Sequence, residues 1–413
     1  MREIPMNKFN FKVLKKDKKT GARVGVISTP HGDIQTPSFV PVGTQATVKS
    51  LDNRDLKETG IQIFIVNTYH VYLRPGLPAI ENFGGLHSFI GWDKPLMTDS
   101  AGFQIFSLGD VNRQRRLCLQ GDTLQVPLVK IGEEGVKFRS HLDGSEHFFT
   151  PEKSIEAQII LGADMMIAFD ECCYYPVTYD YAKKAMERTH RWALRCLERS
   201  SKFHLEEIPQ GGQVQSSKLG KSPQALYGVV QGGVFEDLRK ESAKFISNLP
   251  FEGVAIGGVA VGESKKEMEK VLDWVVPLLP KEKPRHLLGV GEIDDIFTLV
   301  EKGIDSFDCV MPTRLGRMGH LLVRKVENRE WKLDITKAMY ASDKRPIDEN
   351  CDCFVCRNYN RGYINHLFRA KELLAYRLAT YHNLYFLENL MQDIRMSIQE
   401  GRFDRLKKEW LPR

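Results

Sequence analysis

Apolar residues in this chain gather in short continuous runs: GIQIFIVN (60–67), PLMTD (95–99), ADMMIAFDE (163–171), ALYGVVQGG (225–233), GVAIGG (253–258), HLLGVG (286–291) and IDSFDCVMP (304–312). Continuous rather than alternating hydrophobicity predicts parallel strands covered on both faces. The stretches between them read as helices, and an eighth strand is expected at Ile34–Val42. Eight such repeats over this length predict an α/β fold, a (β/α)8 TIM barrel, with a doubly wound open sheet as the competitor. The barrel is favoured by where the polar residues fall. Asn67, Asp99, Asp170, Gln231, Gly258 and Asp308 each stand at the end of a run, and barrel active sites are assembled from strand C-terminal ends. Any one of them could simply cap a helix or form a turn; six together point to a reactive rim.

Two segments break the rhythm and are expected to be surface insertions, residues 112–130 and 206–224, the second rich in Gly, Ser, Pro and Gln. After Arg324 the βα alternation stops, and helical periodicity runs from about Tyr363 to the end. The expected organisation is a catalytic barrel over residues 1–324 and a mainly helical subdomain over 325–413.

Composition narrows the class. With 413 residues and 42% hydrophobic content the chain can bury a large core and an appended subdomain. No apolar run approaches the roughly 18 to 20 residues that cross a bilayer, and the first residues lack the apolar middle of a secretory signal. A cytoplasmic address and no membrane partner are expected. The net charge of +6 is unevenly spread: residues 311–413 hold 20 Lys+Arg against 13 Asp+Glu, the first 310 hold 39 against 40. A basic end on a neutral body suits a polyanion such as nucleic acid, or is merely a solvated face.

Of eight cysteines only three are tightly spaced, as Cys351-x-Cys353-x2-Cys356. Without a secretion signal such spacing points to metal before disulfides. His382 would complete a tetrahedral Zn²⁺ shell with no open position, hence a structural site; spacing alone leaves His366 as a rival donor.

The motifs FVPVGTQATVKSL, NTYHVYLRPG, TDSAGFQIFSL, FRSHLDGS, AFDECCYYP, YGVVQGGVFEDLR, AIGGVAVGE, GVGEIDDI and FDCVMPTRLGRMGHL, with the Cys3His set, run in order from about Phe9 to Met396. In order and spacing the chain resembles the bacterial tRNA-guanine transglycosylases. The resemblance implies exchange of the wobble guanine of GUN-anticodon tRNAs for a 7-deazaguanine in queuosine modification. It implies Asp308 as nucleophile, forming a covalent ribosyl ester, and Asp99 as general acid/base. It assigns the base pocket to Asp99, Phe103, Asp170, Cys172, Gln231, Gly257, Gly258, Val259, Ala260 and Leu288. Arg314 and Arg317 are assigned to the tRNA anticodon loop. Zn²⁺ on Cys351, Cys353, Cys356 and His382, and a homodimer with the zinc region near its interface, are also implied.

The sequence departs from the bacterial pattern in places. Phe103 stands where Tyr is usual, Leu288 where Met is usual, and Cys173 and Tyr174 replace Thr and Pro. Leu315 and Met318 replace polar residues, whereas Val261 agrees with the bacterial branch. The implied incoming base is 7-aminomethyl-7-deazaguanine, with queuine as the alternative. Two other functions compete: a barrel glycoside hydrolase using Asp99 and Asp308, which leaves the zinc turn without a role, and a non-catalytic RNA-binding accessory subunit, which would not need Asp99, Asp170 and Asp308 together.

Overall fold

The computed structural model describes residues 9–107, 129–206, 224–324 and 331–411. The expected insertions fall outside these residues except for 129–130, 206 and 224. Eight short parallel strands close into a barrel: β1 (Ser38–Gly43), β2 (Phe64–Val66), β3 (Leu96–Thr98), β4 (Met165–Ile167), β5 (Ala225–Val230), β6 (Gly253–Ile256), β7 (Arg285–Leu287) and β8 (Ser306–Cys309). The order around the barrel is the order in the chain, β8 returning to β1. All seven apolar runs and the Ile34–Val42 segment hold a barrel strand. The competing open sheet is excluded by the closure. Every residue of β1 through β7 is buried, which is why these runs are continuous rather than alternating.

Two compact units can be distinguished, one built on Val66–Leu288, the other on Gly289–Arg413 with Phe11–Ile27 and Asp33–Ile65. In the first, the helix Pro151–Leu161 shows how sequence sets local structure and then the site. Thr150 caps it by accepting the Lys153 amide, Pro151 opens it, and Gly162 ends it in the left-handed conformation. Its buried Gln158 accepts from Thr98 Oγ1 at 3.0 Å and the Ile167 amide at 3.1 Å, and donates to the Ile167 carbonyl at 2.9 Å. Ser154 donates to the Ser100 carbonyl at 2.8 Å. One helix thus pins the ends of β3 and β4, from which two candidate carboxylates project.

In the second unit, β8 pairs with β1, Asp308 opposite Val40. Its approach is fixed by a fully buried ion pair in which Arg23 Nε and Nη2 donate to Asp305 at 2.8 and 2.5 Å, and by the Ser38 amide on the Asp305 carbonyl. Beyond the barrel strands lie an antiparallel pair, His320–Leu322 with Lys332–Asp334, and the helices Arg361–Ala370, Leu373–Gln399 and Phe403–Trp410. Among the described residues no helix is long and apolar enough to cross a membrane.

Candidate active site and metal centre

Asp99 follows β3 directly, and its carboxylate is surrounded by donors. Asn67 Nδ2 and Gln104 Nε2 donate to Oδ2, the latter at 2.8 Å; the Thr68 and Ala101 amides donate to Oδ1 at 2.9 and 3.2 Å. Asp170, three residues beyond β4 and buried, accepts from Ser100 Oγ at 3.3 Å and from Gln231 Nε2 at 2.7 Å. Burial pushes each carboxyl up to about 6 against these hydrogen bonds, and for Asp170 the Asp99 charge pushes the same way. Both groups are therefore poised to carry or exchange a proton near neutral pH.

Gln231 follows β5, is buried, and is held through its own amide on Ser242 Oγ at 3.1 Å. Opposite it stand Gly257 and Gly258, just beyond β6. A Cβ at Gly257 would lie 2.6 Å from Gln231 Nε2, and one at Gly258 2.6 Å from Gln231 Oε1, while Gly258 has φ +63°. A side chain at either place would push the Gln231 amide aside, and at Gly258 the left-handed backbone also favours glycine. Val259 is buried and Ala260 exposed; Leu288 is partly buried, its amide on the Ile256 carbonyl at 3.2 Å. Cys172 is partly exposed, and burial together with the Asp170 charge holds its thiol far above the ordinary range, which disfavours the thiolate. Phe103 is 47% exposed.

In the other unit, Asp308 lies on β8, partly buried, and its Oδ1 accepts the Gly289 amide at 3.2 Å. Burial, with the Asp308 charge adding to it, pushes the adjacent Cys309 thiol up to about 12. The helix Met311–Arg317 follows. Arg314 is exposed and Arg317 partly buried, with Nη1 on the Thr313 carbonyl at 2.8 Å. Leu315 is partly buried and Met318 is exposed. A Cβ on Gly316 would lie 2.9 Å from the Thr380 nitrogen, so this helix packs backbone-close on Leu373–Gln399. Asn383 locks the contact, donating to the Pro312 and His320 carbonyls at 3.0 Å each and accepting the Leu322 amide at 2.8 Å.

Cys351, Cys353, Cys356 and His382 come together, their ligand atoms all within 4.8 Å of one another. His382 Nε2 donates to the Leu322 carbonyl at 2.7 Å, which turns the lone pair of Nδ1 toward the three sulfurs. Two of these lie 3.5 Å away and the third 3.9 Å, against roughly 3.5 Å expected for S and N on one tetrahedral zinc. The set fits structural Zn²⁺. His366 is exposed and takes no part.

His31, His87 and Asp164 form another candidate cluster, with ligand atoms within 4.8 Å. Their geometry argues against a shared ion: the imidazoles are stacked, centroids 3.5 Å apart and planes at 13°, so an ion in one ring plane lies out of the other. Asp164 instead takes His31 Nδ1 at 2.7 Å and the Leu96 amide at 2.9 Å, with His87 Nε2 at 3.4 Å, as a polar latch at the start of β4.

The family profile described as queuine tRNA-ribosyltransferase matches residues 17–413. Its match takes in every site residue placed above. The chain belongs to the queuine tRNA-ribosyltransferase family. Curated relatives bearing that name include one from Thermoanaerobacter pseudethanolicus, 49% identical over 405 residues that cover 98% of this chain and 97% of the relative. Another, from Pelotomaculum thermopropionicum, is 47% identical over 402 residues, covering 97% and 98%. A third, from Roseiflexus sp., is 48% identical over 407 residues, covering 97% and 98%.

In this queuine tRNA-ribosyltransferase family member several site residues escaped the sequence reading. Ser100 and Gln104 were visible only as parts of a motif, and Asn67 only as a strand-end polar group with no assigned partner. Arg239, in VFEDLR, is entirely buried beside the glycine pair. Its only signal was a cation eight positions after Gln231.

Proposed function

We propose that this chain cuts the wobble guanine from a GUN-anticodon tRNA and inserts a 7-deazaguanine, 7-aminomethyl-7-deazaguanine in preference to queuine, by double displacement. The observation that carries the proposal is the polar edge made by Asp170, Gln231 and the Gly257–Gly258 pair. Asp170 accepts from the N1 and 2-amino hydrogens of guanine; Gln231 and the Gly258 amide meet its 6-oxygen. Phe103 and Leu288 cover the faces, while Cys172, Val259 and Ala260 line the rim. Asp308 attacks C1′, the C1′–N9 pair leaves with the base, and a ribosyl ester forms on Asp308. The entering base, deprotonated by Asp99, then displaces that carboxylate with overall retention. A carboxyl pushed up to about 6 suits both halves of that proton traffic.

Residues 1–324 supply the chemistry. Residues 325–413 hold zinc and brace the helix that offers Arg314 and Arg317 to the anticodon loop. A second copy of the chain is the proposed partner of the zinc face, where Phe354 and Tyr363 are 48% and 40% exposed, and the reaction is assigned to the cytoplasm. The test is a competition of guanine, 7-aminomethyl-7-deazaguanine and queuine for incorporation into unmodified tRNA with a wobble guanine. Preferred incorporation of the aminomethyl base supports the reading, and preferred incorporation of queuine contradicts its choice of base. Release of a reducing sugar from a glycan without base exchange would support the hydrolase instead.

A further inference from the structure

Arg239 is 0% exposed, yet among the described residues no carboxylate pairs with it. Its partners are four backbone carbonyls. Nε donates to Gly233 at 2.6 Å, Nη1 to Val230 at 3.1 Å and Gly257 at 2.8 Å, and Nη2 to Gly258 at 2.8 Å. Burying a cation whose direct contacts are all neutral carbonyls is expensive, even with the Glu263 charge near enough to favour it, and a well-packed apolar residue would serve mere stability better. Burial pushes the guanidinium down only to about 10, so it stays charged in the working range.

The four carbonyls belong to the two loops that frame the base edge. A trans peptide directs its N–H opposite its C=O. With the Gly257 and Gly258 carbonyls turned onto Arg239, the Gly258 and Val259 amides turn away from it. Among the described residues neither amide has an acceptor, although Val259 is buried. Two adjacent donors so directed form a concave site for a single oxygen.

We propose that Arg239 is a positioning residue for the base: it orients the Gly258 and Val259 amides toward the purine 6-oxygen and polarises both peptides. As the C1′–N9 bond breaks and the Asp308–C1′ bond forms, the electron pair left on the purine spreads to that oxygen. The preorganised donors stabilise it there. The inference rests on the base-pocket reading above and adds the group that sets the donors' direction.

The test compares free guanine with 2-aminopurine, which lacks the 6-oxygen, by binding to the zinc-loaded protein and its Arg239→Gln and Arg239→Lys variants, alongside exchange kinetics. Both variants are expected to lose guanine preference over 2-aminopurine, roughly 10- to 100-fold for Arg239→Gln, the scale of a buried hydrogen bond left unmade. In exchange, kcat should fall with the KM for tRNA unchanged. A merely structural role would lower thermal stability and active-site count but leave the preference per folded site intact. Should Arg239→Gln fail to fold, Arg239→Lys, which keeps the cation but not the fork, decides the matter. A folded Arg239→Lys with the wild-type preference overturns the proposal. Asp170→Asn, measured in parallel, separates the two layers. If it too leaves guanine affinity unchanged, the pocket reading itself has failed; if it alone abolishes that affinity, only the role of Arg239 has.

Discussion

The proposed base-recognition edge and the zinc turn are both built from buried polar side chains, but they are satisfied in opposite ways. At the zinc turn every donor points at one place, His382 is fixed by a carbonyl, and the set has no open position for substrate. At the edge, burial raises two carboxyls, and among the described residues an arginine is buried with no carboxylate in contact and two backbone amides lack an acceptor. The first region spends its polar groups on stability. The second withholds them for a ligand, and the fold tolerates the cost because helix Pro151–Leu161 and the barrel strands hold the loops from behind.

That contrast is most easily broken at the metal. Cys353→Ser, or prolonged chelation, should cost on the order of 10 kcal/mol of coupled folding energy in the C-terminal region. Because Asn383 neighbours His382 and clamps the Arg314–Arg317 helix, tRNA affinity should fall before guanine affinity does. Zinc stoichiometry, limited proteolysis and the two binding assays would check this. Guanine binding lost first would mean the two regions are not separable.

The next effect has the opposite sign. Asp170→Asn removes a carboxyl whose ionisation is opposed by burial, so above pH 6 it should raise stability by about 1 to 3 kcal/mol, from the raised ionisation, while guanine binding disappears. Denaturant melts at pH 7.5 beside a binding titration would show it; a destabilised variant would contradict the claim that this edge is held at a cost.

Titration sharpens the same point. The folded forms of Asp99 and Asp170 titrate near 6, above the ordinary carboxyl value, so the stability they lend is full at low pH and drains as pH rises toward and through about 6. Asp164 behaves in reverse. Burial would raise it, but hydrogen bonds from His31 and His87 outweigh that and hold it well below the usual range. Its contribution is present above the ordinary carboxyl value and is lost only as pH falls through the depressed one. Melts of Asp164→Asn and Asp170→Asn against pH should therefore diverge from wild type at opposite ends, and wild-type exchange rates should show an ionisation near pH 6. Smallest of all, Phe103→Tyr should move stability by less than about 0.5 kcal/mol, since the ring is half exposed, and alter base affinity only a few-fold.

How much of this was legible beforehand follows from range. The barrel was readable because double-sided burial writes itself into continuous apolar runs, and the zinc set because three of its ligands fall within six positions. Asp99, Asp170 and Asp308 were visible as polar ends to apolar runs. What could not be read were partners joined across the fold: Gln158 gripping Thr98 sixty positions away, Asn67 on Asp99, His31 reaching Asp164, and above all Arg239, whose role depends on the direction of carbonyls. Backbone orientation has no letter in a sequence.

The proposed covalent catalysis depends on Asp308, and the most direct measurement is denaturing gel analysis of Asp308→Asn after incubation with labelled tRNA, beside guanine exchange and tRNA binding. Exchange and the denaturation-resistant adduct should both vanish while tRNA affinity stays within a small factor of wild type. Turnover, or an adduct, surviving in that variant would contradict the assignment of the nucleophile.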